Sequence, residues 1–315
     1  MRHGSRLPAA LLMILLQGCR IGANEDTAAT AGKRARPAGT HAVMLGTGTP
    51  NADPERSGPA VAVVAGGHAY LVDAGPGIVR RAAAAERAGE VALAQTDLNI
   101  VFLTHLHSDH TAGLSDLMLT PWVLERDRPL RVYGPPGTKA MLDHLHAAYE
   151  EDIRIRTEGL EQANDQGHGV EVHEIGPGTV YEDDNVRVIA FAVPHGSWPM
   201  AVGYRFEASD RTLVISGDTG PSDAFDTACN GCDVLIHEAY SSRRFRTRPE
   251  RWQRYHSSFH TSTDELAVIA TRARPALLVL YHQLYWGATD EDLIAEIRAA
   301  GYAGDVVSAR DLGVY

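Results

Sequence analysis

Apolar positions along the chain fall into short runs separated by turn residues. His41 to Leu45, Ala60 to Ala65, Ala69 to Val72, Asn99 to Leu103 and Leu130 to Tyr133 have strand length. So do Val186 to Val193, Ala201 to Phe206, Thr212 to Ile215, Asp233 to Ile236, Ala276 to Tyr281 and Val306-Val307. Near-continuous apolar runs of this size predict strands covered on both faces. Gly66-Gly67 and the short stretch Glu207-Ala208-Ser209-Asp210-Arg211 read as hairpin connections. Helical patterns cover Ile78 to Arg87, a start over Thr111 to Met118, Gly137 to about Tyr149, Ser262 to Arg274 and about Asp290 to Ala300. The polar, acidic stretch from Glu150 to Gly169 reads as a loop with some helix. Strand–strand–helix units repeated in two halves predict an α/β domain of two sheets packed face to face with helices outside.

The N-terminus breaks this pattern. Arg2, His3 and Arg6 precede the apolar stretch Leu7 to Leu16, too short to be a comfortable membrane span. Residues 1–18 therefore read as a secretory signal peptide. Leu16-Gln17-Gly18-Cys19 resembles a bacterial lipobox, although Gln17 is not a favoured residue there. The expectation is a lipidated Cys19 followed by a flexible tether to residue 40, with the folded domain spanning 41–315. That makes the protein exported: a cell-envelope lipoprotein on the periplasmic side, or a periplasmic or secreted protein, touching membrane only through its lipid. Cleavage by ordinary signal peptidase, or a buried N-terminal helix, is the alternative. The remaining cysteines, in Cys229-Asn230-Gly231-Cys232, fit a tight structural disulfide, a redox pair or two buried thiols.

The 315 residues carry a net charge of −11, and losing residues 1–18 removes two arginines and no acid, moving it to −13. Those totals show no basic footprint for nucleic acid, though they leave room for a local one.

The chemistry concentrates in Thr104-His105-Leu106-His107-Ser108-Asp109-His110, where three histidines and an aspartate fall within six positions. The run sits between a buried strand and a helix start. Histidines two apart on extended chain point the same way, so His105 and His107 can grip one cation. Asp109 and His110, past the bend, can grip a second. Imidazole nitrogen and carboxylate oxygen suit zinc, and also iron. His195, at a strand end before Gly196, is the expected third ligand of the first ion. His282, at the end of the Ala276 strand, joins Asp109 and His110 on the other, and Asp218 of Gly217-Asp218-Thr219 bridges. Two divalent ions, zinc foremost, would acidify a shared bridging water to a hydroxide nucleophile and clamp the reacting oxygens. Asp109 can also orient that nucleophile. His260 is the candidate to stabilise or protonate the leaving oxygen, and Glu238 to hold the other nitrogen of His260. A structural role for His237 and Glu238 is the competing reading. His144 and His146 face different sides of a helix, and His168 and His173 show no partner pattern, so none of these four is expected as a ligand.

The motif His105-x-His107-x-Asp109-His110 resembles the signature of the metallo-β-lactamase-fold hydrolases, and the later landmarks extend the likeness over roughly residues 41–315. The implied fold is the αββα sandwich, with two mixed sheets. The order Gly-Asp-Thr, His-Glu-Ala, His-Thr-Ser and a strand ending in histidine resembles the branch of ribonuclease Z and the arylsulfatase-like enzymes. That resemblance implies His105, His107, Asp109, His110, His195, Asp218 and His282 as ligands, His260 as the catalytic histidine, and Asp73 as a brace for a ligand histidine; a plain helix cap is the alternative for Asp73. Classical β-lactamases of this fold typically place a cysteine where Asp218 stands, which disfavours drug hydrolysis. Ribonuclease Z carries a long Gly/Pro-rich arm where only Glu207 to Arg211 stands here.

The expected activity is therefore hydrolysis of small phosphodiesters, sulfate esters or related esters, with DNA excluded and RNA disfavoured as partners. An RNA 3′-processing endonuclease and a non-catalytic metal-binding envelope protein are the alternatives, and a homodimer stays open. Trp198, Tyr285 and Trp286, beside the ligand positions, either line a pocket or serve loop packing.

Overall fold

The computed structural model describes residues 39–315. The expected leader, Cys19 and the tether up to residue 38 lie outside the described residues. Among the described residues, no helix is long and apolar enough to cross a membrane.

Six strands form the first sheet, in sequential order: β1 (His41–Gly46), β2 (Ala60–Ala65), β3 (His68–Val72), β4 (Ile100–Phe102), β5 (Leu130–Gly134) and β6 (Val170–Glu174). β1 to β3 are antiparallel, and β3 to β6 run parallel. The helices of this half are α1 (Ile78–Arg87), α2 (Ser108–Thr111), α3 (Leu114–Val123), α4 (Thr138–Ala148) and α5 (Glu150–Glu158).

The second sheet has seven strands: β7 (Gly178–Glu182), β8 (Val186–Val193), β9 (Ala201–Ala208), β10 (Thr212–Ile215), β11 (Val234–Tyr240), β12 (Leu277–Leu284) and β13 (Val306–Ser308). It is antiparallel from β7 to β10 and parallel from β10 to β13. With it go α6 (Ala224–Ala228), α7 (Ser242–Phe245), α8 (Glu250–Phe259), α9 (Thr263–Ala273) and α10 (Asp290–Ala299).

Strand periodicity builds the layers. In β2, Val61 and Val63 face the second sheet, joining Tyr70, Phe102, Tyr204, Phe206 and Ile215 in one core. Ala60, Ala62 and Val64 face outward onto α1 and α3 residues such as Ile78, Val79 and Trp122. In β12, Val279 and Tyr281 belong to the inner core, whereas Leu278 and Leu280 pack under Leu266, Ile269 and Ile297 of α9 and α10. Helix, sheet, sheet, helix is the αββα sandwich, with both sheets mixed. Each of these strands is buried on both faces, which is why it reads as an unbroken apolar run.

The structure departs from the sequence-based expectation at several elements. The helix expected to start at Thr111 is two helices, broken at Ala112-Gly113. Gly113 packs so closely on Ala74 and Gly75 that a Cβ would lie 2.4 Å from the Gly75 carbonyl. β11 and β12 do not stop at Ile236 and Tyr281 but run on through His237-Glu238 and His282. The exposed edge strands β6 and β7 and the helices α6 to α8 carry no long apolar run. The cysteines at 229 and 232 are buried and disulfide-bonded.

Candidate metal centre

The parallel strands end together, and their terminal loops meet. The turn after β4 brings His105 and His107, and α2 supplies Asp109 and His110. His195 follows β8 and Asp218 follows β10. His282 arrives by a different device. Glu238 pairs with Tyr281 and Ala239 with Gln283, so His282 is an extra residue in β12. Its φ of 46° lies in the left-handed region. A bulge of this kind re-aims a side chain out of the strand's alternation. Gly217, at φ 62°, lets the Asp218 loop rest on Thr104, where a Cβ would sit 2.7 Å from the Thr104 Cβ.

Two overlapping groups result: His105, His107, His195 and Asp218, and Asp109, His110, Asp218 and His282. In each group the donor atoms lie within 4.8 Å of one another. His107 Nδ1 stands 3.0 Å from His105 Nε2 and 3.1 Å from His195 Nε2. A tetrahedral zinc with nitrogen ligands has edges of about 3.3 Å, close to this spacing. Asp218 turns one oxygen to each side of the second group, Oδ1 3.3 Å from His110 Nε2 and Oδ2 3.5 Å from His282 Nε2. His282 Nε2 is also 3.2 Å from Asp109 Oδ2. His110 Nε2 and Asp218 Oδ1 are fully buried without a hydrogen-bond partner among the described residues. Native interiors rarely leave such atoms orphaned, and a cation would satisfy both. The residues present therefore fit two divalent ions.

The outer nitrogens of His110, His105 and His195 are tied down, whereas His107 Nε2 accepts from Trp198 Nε1 at 2.7 Å and His282 Nδ1 has no partner among the described residues. Asp73, itself left-handed at φ 61°, accepts from Thr104 N (2.8 Å), from Thr104 Oγ1 and from His110 Nδ1 (2.8 Å). Thr104 Oγ1 in turn lies 3.0 Å from His105 Nδ1. His195 Nδ1 donates to the Phe259 carbonyl at 2.8 Å. Such partners fix which ring nitrogen keeps its proton and turn the other inward.

Electrostatics match this arrangement. Burial drives His105 well below the ordinary imidazole range and His195 down to about 4, leaving neutral rings, the form that binds cations. Burial opposes ionisation of Asp218, but His282 and His110 hold it well below the usual carboxylate range. Burial would also lower His110, yet Asp218 and Asp73 lift it well above its ordinary value, so the pocket favours positive charge there.

A third group joins Glu238, His260 and His282. Glu238 Oε1 accepts from Thr261 N at 2.8 Å and lies 3.5 Å from His260 Nδ1, which is 3.9 Å from Asp218 Oδ2. Burial and the nearby Asp218 raise Glu238 well above the ordinary carboxyl range, and burial lowers His260 to about 4. His237 points to the other face of β11, where its ring packs on Phe225 and its Nδ1 donates to the Glu238 carbonyl.

All nine expected residues thus converge. Of the three flanking aromatics, Trp198 stands against His107, with ring centroids 5.0 Å apart. Tyr285 and Trp286 serve packing, under Arg56 and against His256 respectively. His146 and His168 pair with each other instead. Thr104 and Phe259 are the contributors that the sequence did not single out; their one signal is adjacency to His105 and His260. A cavity of about 550 Å³ opens beside Asp109, lined by Thr49, Asn51, Asp53, Ser57 and Pro76.

A family model described as "Beta-lactamase superfamily domain" matches residues 68–283. Ribonuclease Z of Mycobacterium sp. (strain KMS) is 37% identical over 243 residues, 76% of this chain and 83% of that protein. Ribonuclease Z of Mycobacterium marinum is 34% identical over 273 residues, 85% of this chain and 95% of its own. Two solved structures share the fold at lower identity. The metallo-β-lactamase-fold protein YhfI from Bacillus subtilis has TM-score 0.67 and 17% identity, covering 88% of this chain and 99% of that one. Human short-form tRNase Z has TM-score 0.63 and 22% identity, covering 87% and 98%.

Proposed function

Because the chain belongs to the metallo-β-lactamase-fold hydrolases, metal-dependent enzymes acting on ester bonds, we propose that it is a dinuclear phosphodiesterase. His105, His107 and His195 would hold one cation and Asp109, His110 and His282 the other, with Asp218 belonging to both groups. The carrying observation is the Asp218 carboxylate, which belongs to both four-residue groups and has a buried, unpartnered oxygen. Nitrogen and oxygen donors in this ratio suit zinc. When bound, the two ions supply an acidified water and neutralise the charge that develops on the ester oxygens.

The chain's own groups do the rest. Asp109, at the cavity wall, orients the attacking group and faces the substrate. His260, kept neutral by burial, offers a hydrogen to the leaving oxygen, and Glu238 stands 3.5 Å from its Nδ1 on the opposite side of the ring. Glu238 is in turn fixed by the backbone of Thr261.

The relatives named ribonuclease Z favour phosphorus over sulfur as the attacked centre. The three-residue turn between β9 and β10 leaves no arm for an RNA body, which favours short or single-stranded diesters over processing of folded RNA. Export remains part of the reading, supported by the basic and apolar pattern of residues 1–18, with Cys19 as the anchor.

The test is turnover of a bis-aryl phosphate, an aryl sulfate and a precursor tRNA by zinc-loaded protein, with His260→Ala as control. Hydrolysis of the diester, slowed by about 10²–10³-fold in the variant, is expected for loss of a hydrogen-bond donor to the leaving oxygen. Turnover of the sulfate alone, or of tRNA alone, would overturn the reading.

A further inference from the structure

The chain is acidic overall, yet Arg243, Arg244, Arg246, Arg248, Arg251 and Arg254 fall within twelve positions that contain a single acid, Glu250. They occupy α7, α8 and the link between them, and all but Arg248 are exposed. Arg246 pairs with Asp264 at 2.8 Å and Arg254 with Glu250. Arg243 and Arg251 have no carboxylate partner among the described residues, and Arg251 lies over the Trp252 ring.

Aromatic rings run beside these cations. Trp252, Tyr255 and Phe259 recur at spacings of three and four on α8 and so share one stripe, next to the stripe of Arg251 and Arg254. Trp252 and Tyr255 are 38% and 37% exposed, high for such rings. Trp252 meets Tyr255 at 5.8 Å, and Tyr255 stacks on Phe259 at 4.4 Å. Phe259 then reaches His195 at 5.0 Å and His107 at 6.2 Å. The row of rings begins in solvent and ends at the candidate metal ligands.

We propose that the face of residues 243–259 is a docking track for a single-stranded polynucleotide, which it feeds phosphodiester-first into the metal centre. Guanidinium groups neutralise successive phosphates, while exposed rings take the flat faces of bases, a combination that suits single strands of any sequence. An anionic membrane would also meet the arginines, but a flat surface gains nothing from a line of rings descending to a catalytic centre. The inference rests on the phosphodiesterase reading and narrows its substrate to strands.

The experiment measures fluorescence anisotropy of labelled 12-nucleotide single-stranded RNA, single-stranded DNA and a DNA duplex across a salt series. The proteins are wild type, Arg243→Ala/Arg251→Ala/Arg254→Ala, Trp252→Ala and, as control, Arg80→Ala/Arg128→Ala. Expected are single-strand affinity at least 10-fold above duplex, a loss of 30-fold or more in the triple variant and about 10-fold in Trp252→Ala, with little change in the control. For every phosphate that a variant no longer neutralises, the log–log salt slope should flatten by about 0.7. RNA and DNA bound alike would mean recognition by backbone and stacking; RNA bound tighter would add the ribose hydroxyl. Either outcome supports the track.

Equal binding by the triple variant, or binding of phosphatidylglycerol vesicles but no oligonucleotide, would overturn it. Turnover of the bis-aryl phosphate should be unchanged in every one of these variants. If wild type itself fails on that substrate, the phosphodiesterase reading fails, whereas the binding curves still decide the track.

Discussion

Replacing Asp73 by asparagine tests how the second cation position is held. The carboxylate is 1% exposed and accepts from three donors: Thr104 N, Thr104 Oγ1 and His110 Nδ1. Asparagine tolerates the left-handed φ of 61°, so the backbone has no reason to move. It presents one acceptor oxygen and one amide donor, however, where two acceptor oxygens stood. If the oxygen keeps Thr104, the amide faces His110 Nδ1, and the ring must take the tautomer that carries hydrogen on Nε2. That hydrogen then points at Asp218 and occupies the lone pair meant for the cation. A charge-assisted hydrogen bond removed from a buried site is worth about 1.5–3 kcal/mol. Loss of such a brace typically weakens metal affinity by about 10–100-fold, which corresponds to about 1.4–2.7 kcal/mol. Competitive titration against a chromophoric zinc chelator should show one of two ions weakened by that factor, and the other less, because Thr104 still reaches His105. Zinc constants within about threefold of wild type for both ions, with unchanged kcat/KM, would refute the reasoning.

Three further perturbations have defined outcomes. Arg126 is 1% exposed and donates to the carbonyls of Leu98, Leu117, Met118 and Gly167; Arg126→Ala leaves those four acceptors unsatisfied and should cost about 3–5 kcal/mol in urea unfolding, with zinc content per folded molecule unchanged. Burial pulls His237 down to about 4 from its unfolded value near 6.5, so the unfolded chain takes up a proton that the folded one refuses. Stability present above pH 6.5 is therefore lost as pH falls to about 4, by at most about 3 kcal/mol, and His237→Gln should remove one proton from the slope of stability against pH in that window. At Gly196, φ 54°, a Cβ would lie 2.1 Å from the Phe259 ring; Gly196→Ala should displace the carbonyl that holds His195 and lower kcat/KM by about 10–100-fold, measured on a bis-aryl phosphate.

The sequence carried most of the site because most of the site is local. Four donors sit in one six-residue turn, and the remaining three follow strand-length apolar runs, whose ends a reader can find. The bulge at His282 was not legible, because a strand that continues past a histidine and one that stops there begin with the same apolar run. Thr104 and Phe259 act through a hydroxyl and a backbone carbonyl, roles that no residue pattern announces. Helix α8 is hard to read from the sequence for a different reason: its one stripe, Trp252, Tyr255 and Phe259, is purely aromatic, partly exposed and set among arginines and serines, so it does not resemble the aliphatic stripe of a packed helix. The charge total concealed it as well, since a strongly acidic remainder outweighs a basic stretch of twelve residues.

The centre is shared between the two halves of the chain in a way that bears on the order of its making. Asp109 and His282 are 173 positions apart, and each half brings an incomplete set of donors. A nascent chain therefore shows the His105–His110 turn long before His195, Asp218 and His282 exist. Until then it can offer an ion only a loose, partial grip, easily surrendered. Tight capture would wait for the second sheet to close over the first, so any metal would be selected by the finished molecule rather than by its earliest exposed fragment.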